Sequence, residues 1–480
     1  MPLSRQQNYK DASIEDILRR ADELVGSSIH ELLSDERQDY FPWDSLEEVR
    51  GLDKFIKGKG PVGVAVEELV FGMKADNKQE ADFTAAGVEL KTTGLKEQKI
   101  KTARGAAGEL VAKERLTLGL INYKKVVNEN WLDSTVVKKC SALLLLFYIY
   151  EKGVHCFDLR WKSRSYIENF FDLPEQFITQ IRADWSVIVQ KIRDGEAHLL
   201  SSGDTSYLEA SRKGSSTEPP VEQPYSRTKA KKRAFSLKAE FVDHLFRSSD
   251  EDYEYKSFLR PDQTIEDFAD EKLSVILGKT GEEIAQLQGG YFNPKNKTRW
   301  RQIIAKQLAG GKKINELLEL KMSFTELKVL NFEYDFRLKE SISFPYFDYF
   351  EVANTPWEES DFFEILSTKR FLFAYFRKRK NGSSKNLVAD FIGWQFWSFP
   401  IHLLGEAKAV YEETQRRILN KNYNFPRITD SNYCHVRPHG KNANDLVDAP
   451  DGTKQKKYCF WLNARFIADE LIGEPNIESN

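Results

Sequence analysis

Residues Glu80 to Thr93 read EADFTAAGVELKTT, and this stretch sets the expectation for the fold. Val88 and Leu90 are apolar, whereas Glu89 and Lys91 are charged. Side chains in a strand alternate between faces, so Glu89 and Lys91 share one face while Val88 and Leu90 pack on the other. Gly87 permits a sharp bend before the strand. That bend lets Asp82 fold back beside Glu89, so two carboxylates and one ammonium converge. Two carboxylates supply hard oxygen ligands for Mg²⁺. A lysine beside them can stabilise charge at a scissile phosphate or help to activate a water. The plainer alternative is an exposed strand edge with Glu and Lys on its wet face.

The spacing, D-x6-E-x-K, lies within the run from Lys59 to Lys91, KGPVGVAVEELVFGMKADNKQEADFTAAGVELK. Val62-Gly63, Glu67, Gly72, Asp82, Gly87 and Val88-Glu89-Leu90-Lys91 form one set of spacings. Through these residues the chain resembles the PD-(D/E)xK nucleases. Within that superfamily it resembles the MutH family, which holds the mismatch-repair nuclease and the type II restriction endonucleases that cut at GATC. The resemblance implies that Asp82, Glu89, the Leu90 carbonyl and Glu67 hold Mg²⁺, and that Lys91 stabilises the attacking hydroxide or the pentacovalent phosphate. Glu67, Asp82, Glu89 and Lys91 are therefore the candidate catalytic residues. Glu67 enters only through the spacing Val62-Gly63-x3-Glu67; a glutamate on a helix is otherwise ordinarily solvated.

The 480 residues suffice for two or three domains. A hydrophobic content of 41% with 30% charged residues fits a soluble globular protein. The longest apolar run, Ala142 to Tyr150, is too short for a membrane span and reads as a buried strand. The N-terminus has no apolar core of a signal peptide. Cys140, Cys156, Cys434 and Cys459 form no CxxC pair, which argues against a disulfide framework or a cysteine zinc site and fits a reducing cytoplasm. The net charge of -2 leaves nucleic-acid binding to local clusters.

Ser13 is expected to cap a helix carrying Ile14, Ile17, Leu18, Ala21 and Leu24, and Ser28 a second, shorter one. Pro61 suits the first turn of a helix bearing Glu67. Residues 94–107 are polar, basic and Gly-rich and read as a loop; Asp184 to Ile192 read as an amphipathic helix. Arg212 to Lys238 is the main basic patch and reads as an exposed loop, suited to phosphate contacts and base-edge readout or simply to solvation. The resemblance assigns DNA contacts to Lys139, Arg212, Lys213, Arg233, Ser236 and Lys238. The family's mismatch-repair nuclease has a methylation-sensing tyrosine where this chain has Ser236, a serine shared with the GATC restriction enzymes.

The second half parallels the first. Phe235-Ser-Leu-Lys-Ala-Glu-Phe241 matches Phe460-Trp-Leu-Asn-Ala-Arg-Phe466, and Lys138-Lys139 before one apolar run matches Lys369-Arg370 before another. Glu319-x6-Glu326-Leu327-Lys328 nearly repeats the motif, while Lys306 falls near the place of Glu67 and would repel a divalent metal. Arg437, His439 and Lys441 mark a second DNA-reading loop, again by resemblance. The expected fold class is α/β: two tandem MutH-like nuclease domains, each a mixed sheet flanked by helices, the second a degenerate copy. The expected boundaries are 1–247 for the catalytic domain, 248–264 for a linker and 265–480 for a DNA-binding, allosteric domain. The resemblance implies a Mg²⁺-dependent type II restriction endonuclease for double-stranded GATC sites, pairing on DNA and accompanied by a methyltransferase. A MutH-like nicking enzyme and a non-catalytic DNA-binding protein are the alternatives.

Overall fold

The structure is a computed structural model that describes residues 9–35, 49–56, 60–73, 81–98, 106–214, 218–250, 252–293, 296, 298–310, 314, 317–379, 388–440, 442 and 444–472. The chain forms two compact units. The first comprises residues 1–198, 206–263 and 321–323, and the second residues 199–205, 264–320 and 324–480.

In the first unit, the Ser13 hydroxyl accepts the Asp16 N–H at 3.2 Å and caps helix Ile14–Leu24. Ser28 caps helix Ile29–Asp35 by accepting the Glu31 N–H at 3.1 Å. Buried Arg20 donates through Nε to the Val70 carbonyl at 3.0 Å, tying the first helix to the segment that carries Glu67. That segment opens as helix Pro61–Ala65 with proline in its first turn. It then widens into a π turn, Val66–Val70, where the Phe71 N–H reaches the Val66 carbonyl at 3.1 Å. A regular helix is expected here from the apolar spacing; single π turns are often found where a helix serves a functional site.

The strands follow as β1 (Glu89–Glu97), β2 (Leu110–Ala112), β3 (Leu116–Leu120), β4 (Leu143–Ile149), β5 (Trp161–Ile167), β6 (Leu208–Arg212), β7 (Val221–Gln223), β8 (Ser226–Ala230) and β9 (Arg233–Leu237). A mixed sheet has the order β2-β1-β4-β5, with β1 and β4 parallel and the outer pairs antiparallel. A second, antiparallel sheet has the order β3-β9-β6, and β7 and β8 form a hairpin. Val88, Leu90, Leu144 and Leu146 lie on one face of the mixed sheet and join a core with Ile17, Ala21, Val66 and Val70. Burying aliphatic side chains of this size contributes roughly 1.5–3 kcal/mol each, which fixes the face and register of β1. Buried Asp184, on helix Glu175–Arg193, accepts the N–H groups of Ser206, Tyr207 and Leu208 at 2.9, 2.6 and 2.9 Å. One carboxylate thereby anchors the start of β6.

The second unit contains β10 (Thr325–Phe332), β11 (Ile342–Tyr346), β12 (Arg370–Lys378), β13 (Ala389–Ser398), β14 (Cys434–Pro438), β15 (Leu446–Asp448), β16 (Lys454–Lys456) and β17 (Tyr458–Leu462). Here β10 and β12 are parallel and β13 is antiparallel to β12. The other strands form a sheet ordered β11-β17-β14 and a hairpin of β15 and β16. The succession matches the first unit. In both, a parallel pair gains an antiparallel partner, a three-stranded sheet is centred on the last strand, and a hairpin precedes that strand. Phe235 and Phe460, the matched phenylalanines of the sequence, stand on β9 and β17.

Several expectations are corrected. Strand β1 runs on to Glu97, so the loop expected from residue 94 begins later; residues 99–105 lie outside the described set. The helix around Asp184 starts at Glu175. The basic stretch 212–238 is not one exposed loop: it holds the β7–β8 hairpin and the buried strand β9. The Lys/Arg content of the stretch hides β9, whose five residues are all buried. The expected linker groups with the first unit as far as Gln263, and Tyr255 packs its ring 5.0 Å from Phe177 and 4.9 Å from His244. Among the described residues no helix is long and apolar enough to cross a membrane. All four cysteines are buried and free.

Candidate active site

The hairpin Phe83–Val88 delivers Asp82 to the start of β1. Phe83 and Val88 exchange backbone hydrogen bonds of 3.0 and 3.2 Å across a turn that Gly87 closes with φ +68. Asp82 then accepts the Leu90 N–H through Oδ2 at 2.8 Å. The fold-back is thus built by one glycine and one side-chain-to-backbone bond.

Glu89 is buried at 5% exposure, a desolvated carboxylate that needs compensating charge. Lys91 Nζ lies 2.5 Å from Glu89 Oε1 and reaches the Leu90 carbonyl at 3.3 Å. Lys139, at the end of helix Thr135–Lys139, brings a second ammonium 3.2 Å from Glu89 Oε2. By resemblance Lys139 matches a lysine near the family's active site and is grouped with the DNA contacts; here it sits beside the carboxylate of Glu89. The parallel pairing of β1 and β4 sets Glu89 opposite Leu143, only four residues after Lys139. Strand pairing, invisible in the local pattern, therefore recruits it.

Burial, and then repulsion from Glu89, hold Asp82 above the usual carboxylate range, against the pull of Lys91. Glu67 is pushed up to about 7 by burial and then by Asp82, with Lys91 opposing. Glu67, carried on the π turn, thus feels the charges of Asp82, Lys91 and Glu89. Among the described residues no group of three or more His, Cys, Asp or Glu stands at metal-ligating spacing. The donor chemistry nevertheless fits a hard divalent cation: oxygens of Asp82, Glu89, Glu67 and the Leu90 carbonyl, with carboxylates crowded enough that a cation would relieve their repulsion.

The second unit repeats part of this arrangement. Lys328 and Lys369 each lie 2.7 Å from an oxygen of Glu326, holding that carboxyl down at about 2 despite burial. Glu319, on helix Leu318–Met322, is buried at 3% exposure. Lys306 is exposed and donates to the Gln288 carbonyl at 2.8 Å, so its ammonium is engaged outside the expected position.

The expected DNA contacts divide sharply. Arg212 is exposed at the end of β6, and half-buried Lys213 donates to Thr117 Oγ1 at 3.0 Å. Arg233, Ser236 and Lys238 are buried at 4%, 0% and 2% exposure. Arg233 donates to the Ala210 carbonyl at 2.5 Å, Ser236 pairs with Ser211 at 2.7 Å, and Lys238 donates to the Ser323 carbonyl at 3.3 Å. Arg437 and His439 are exposed around Trp461, the guanidinium 4.7 Å from the ring centroid and the imidazole 5.5 Å. Lys441 lies outside the described residues.

Residues 71–184 match the family described as "MutH: DNA mismatch repair enzyme MutH". Over 491 aligned residues the chain is 30% identical to the protein named "Type II restriction enzyme Sau3AI" of Staphylococcus aureus, covering 89% of this chain and 95% of that relative. The chain belongs to the Sau3AI-like nucleases of the MutH family. The stretch matched to MutH contains Asp82, Glu89, Lys91 and Lys139 but begins after Glu67. Similarity across nearly the whole relative extends family membership through both units of this Sau3AI-like chain.

Proposed function

We propose that this Sau3AI-like chain is a Mg²⁺-dependent type II restriction endonuclease that cuts both strands of DNA at GATC. The observation that carries the reading is the cluster in the first unit, where Asp82, Glu89, Lys91 and Lys139 meet at the head of β1. Bound Mg²⁺ would supply Lewis acidity toward the phosphate and an activated water. Asp82, Glu89, Glu67 and the Leu90 carbonyl would hold it. Lys91 Nζ stabilises the negative charge that grows on the attacked phosphate. Lys139 stays on Glu89 and holds that buried carboxylate in orientation.

The second unit is proposed to be a degenerate copy of the first that binds a second DNA site as an allosteric effector. The like succession of strands supports this, as does Glu326 neutralised by two lysines. A GATC enzyme of this kind pairs on DNA and works beside a methyltransferase that protects the host.

The test is incubation with plasmid in Mg²⁺ and in EDTA, on adenine-methylated and unmethylated DNA. Fragments matching a GATC map, absent in EDTA, support the reading. Nicked circles alone indicate a nicking enzyme. Lys91→Ala should abolish cutting and spare DNA binding, and full activity in that variant overturns the assignment.

A further inference from the structure

The second unit holds a cavity of about 310 Å³ that no step above uses. That volume sits at the small end of ligand pockets, which span about 300–1,000 Å³. Tyr423, Phe425 and Tyr458 supply aromatic walls, the rings of Phe425 and Tyr458 meeting edge to face at 4.9 Å. Arg427 and Arg437 line it with exposed guanidiniums. Asp430 accepts the Arg427 backbone N–H at 2.8 Å, and Arg427 Nη2 bonds Asn424 Oδ1 at 3.3 Å.

His435, 2% exposed, is also part of the lining. Its tautomer follows from its neighbour. Asn463 donates through Nδ2 to the Ser431 carbonyl at 2.6 Å, which leaves its Oδ1 facing His435 Nδ1 at 2.5 Å. Nδ1 therefore carries the proton, and Nε2 keeps a lone pair. Burial, then the nearby Arg437, hold the ring's pKa down against the Asn463 bond, so the imidazole is neutral near pH 7. Nε2 is buried with no hydrogen-bond partner, which leaves an acceptor waiting for an N–H donor.

We propose that this cavity binds a nucleotide, with its base against Tyr423, Phe425 and Tyr458, a base N–H on His435 Nε2 and its phosphate on Arg427 and Arg437. Aromatic rings stack on bases of any sequence, and guanidinium forks match phosphate oxygens. The nucleotide is either free or swung out of a bound DNA strand. The second source rests on the effector role proposed for this unit.

The experiment uses the full chain in EDTA. Calorimetry measures binding of adenosine 5′-monophosphate, adenosine and inorganic phosphate. A parallel arm follows the fluorescence of GATC duplexes carrying 2-aminopurine, which brightens when a base leaves the stack. The monophosphate should bind at least about tenfold more tightly than adenosine or phosphate, or the duplex should brighten on binding. Arg427→Gln and His435→Leu should each weaken the response about tenfold, the size expected for one hydrogen bond to a charged or buried group. Monophosphate binding without brightening assigns a free nucleotide; brightening assigns a DNA-borne one. The absence of both responses overturns the proposal, as does a response that Arg427→Gln, an exposed change that leaves the core intact, fails to weaken. Plasmid cleavage in Mg²⁺ by the same preparation separates the two readings, because cutting without a nucleotide response leaves the nuclease assignment standing.

Discussion

Glu67 gives the most discriminating prediction, because its carboxyl is raised from an ordinary 4.5 to about 7 by burial and by Asp82. The sign follows from linkage. Below pH 4.5 both folded and unfolded chains hold the Glu67 proton, and the group costs nothing. Between pH 4.5 and 7 the unfolded chain releases that proton while the folded chain keeps it, so stability declines as pH rises. Above pH 7 the folded protein carries the full cost of an ionised Glu67. At about 1.4 kcal/mol per pH unit the raised pKa corresponds to about 3 kcal/mol. Glu67 is only partly buried, so solvent screening reduces this to ~1–2 kcal/mol. Glu67→Gln keeps the shape and removes the charge. In EDTA at pH 8, urea denaturation should find the variant ~1–2 kcal/mol more stable than the parent; at pH 4.5 the two should coincide. Saturating Mg²⁺ should stabilise the parent more than the variant, because a ligand that binds only the folded state adds stability that grows with the logarithm of its affinity. An equal gain at both pH values, or none at pH 8, refutes the placement of Glu67 in the carboxylate cluster.

Lys139→Met should lower the cutting rate about a hundredfold with DNA affinity unchanged, as for loss of one preorganised charge partner; weaker DNA binding at full turnover would return Lys139 to a DNA contact. Asp184→Ala should cost ~3–5 kcal/mol in urea denaturation by stranding three buried N–H groups at the start of β6, and a cost under ~1 kcal/mol would contradict that anchoring role. Glu326→Gln should leave plasmid cutting within about twofold of the parent, since Lys328 and Lys369 already occupy that carboxylate; a drop beyond about tenfold would place the second unit in the chemistry.

The local sequence was enough to determine the heart of the first unit. Alternation in Val88-Glu89-Leu90-Lys91 assigned the faces of β1, Gly87 marked the fold-back of Asp82, and Ser13 and Ser28 marked two helix starts. These features rest on interactions spanning a few residues, with geometry dictated by backbone chemistry. Similarity over most of the chain placed it among the Sau3AI-like nucleases. The tertiary structure decided what depends on distant partners. Parallel pairing of β1 with β4 carried Lys139 to Glu89, and burial on a π turn raised the Glu67 carboxyl. The β3-β9-β6 sheet buried Arg233, Ser236 and Lys238, although their charge and polarity suggested an exposed loop. Asn463, nearly thirty residues beyond His435, fixed the tautomer of that imidazole. Charge in a sequence reports what a residue can do in water; only the packed neighbours determine whether it meets water, a backbone carbonyl or another charge.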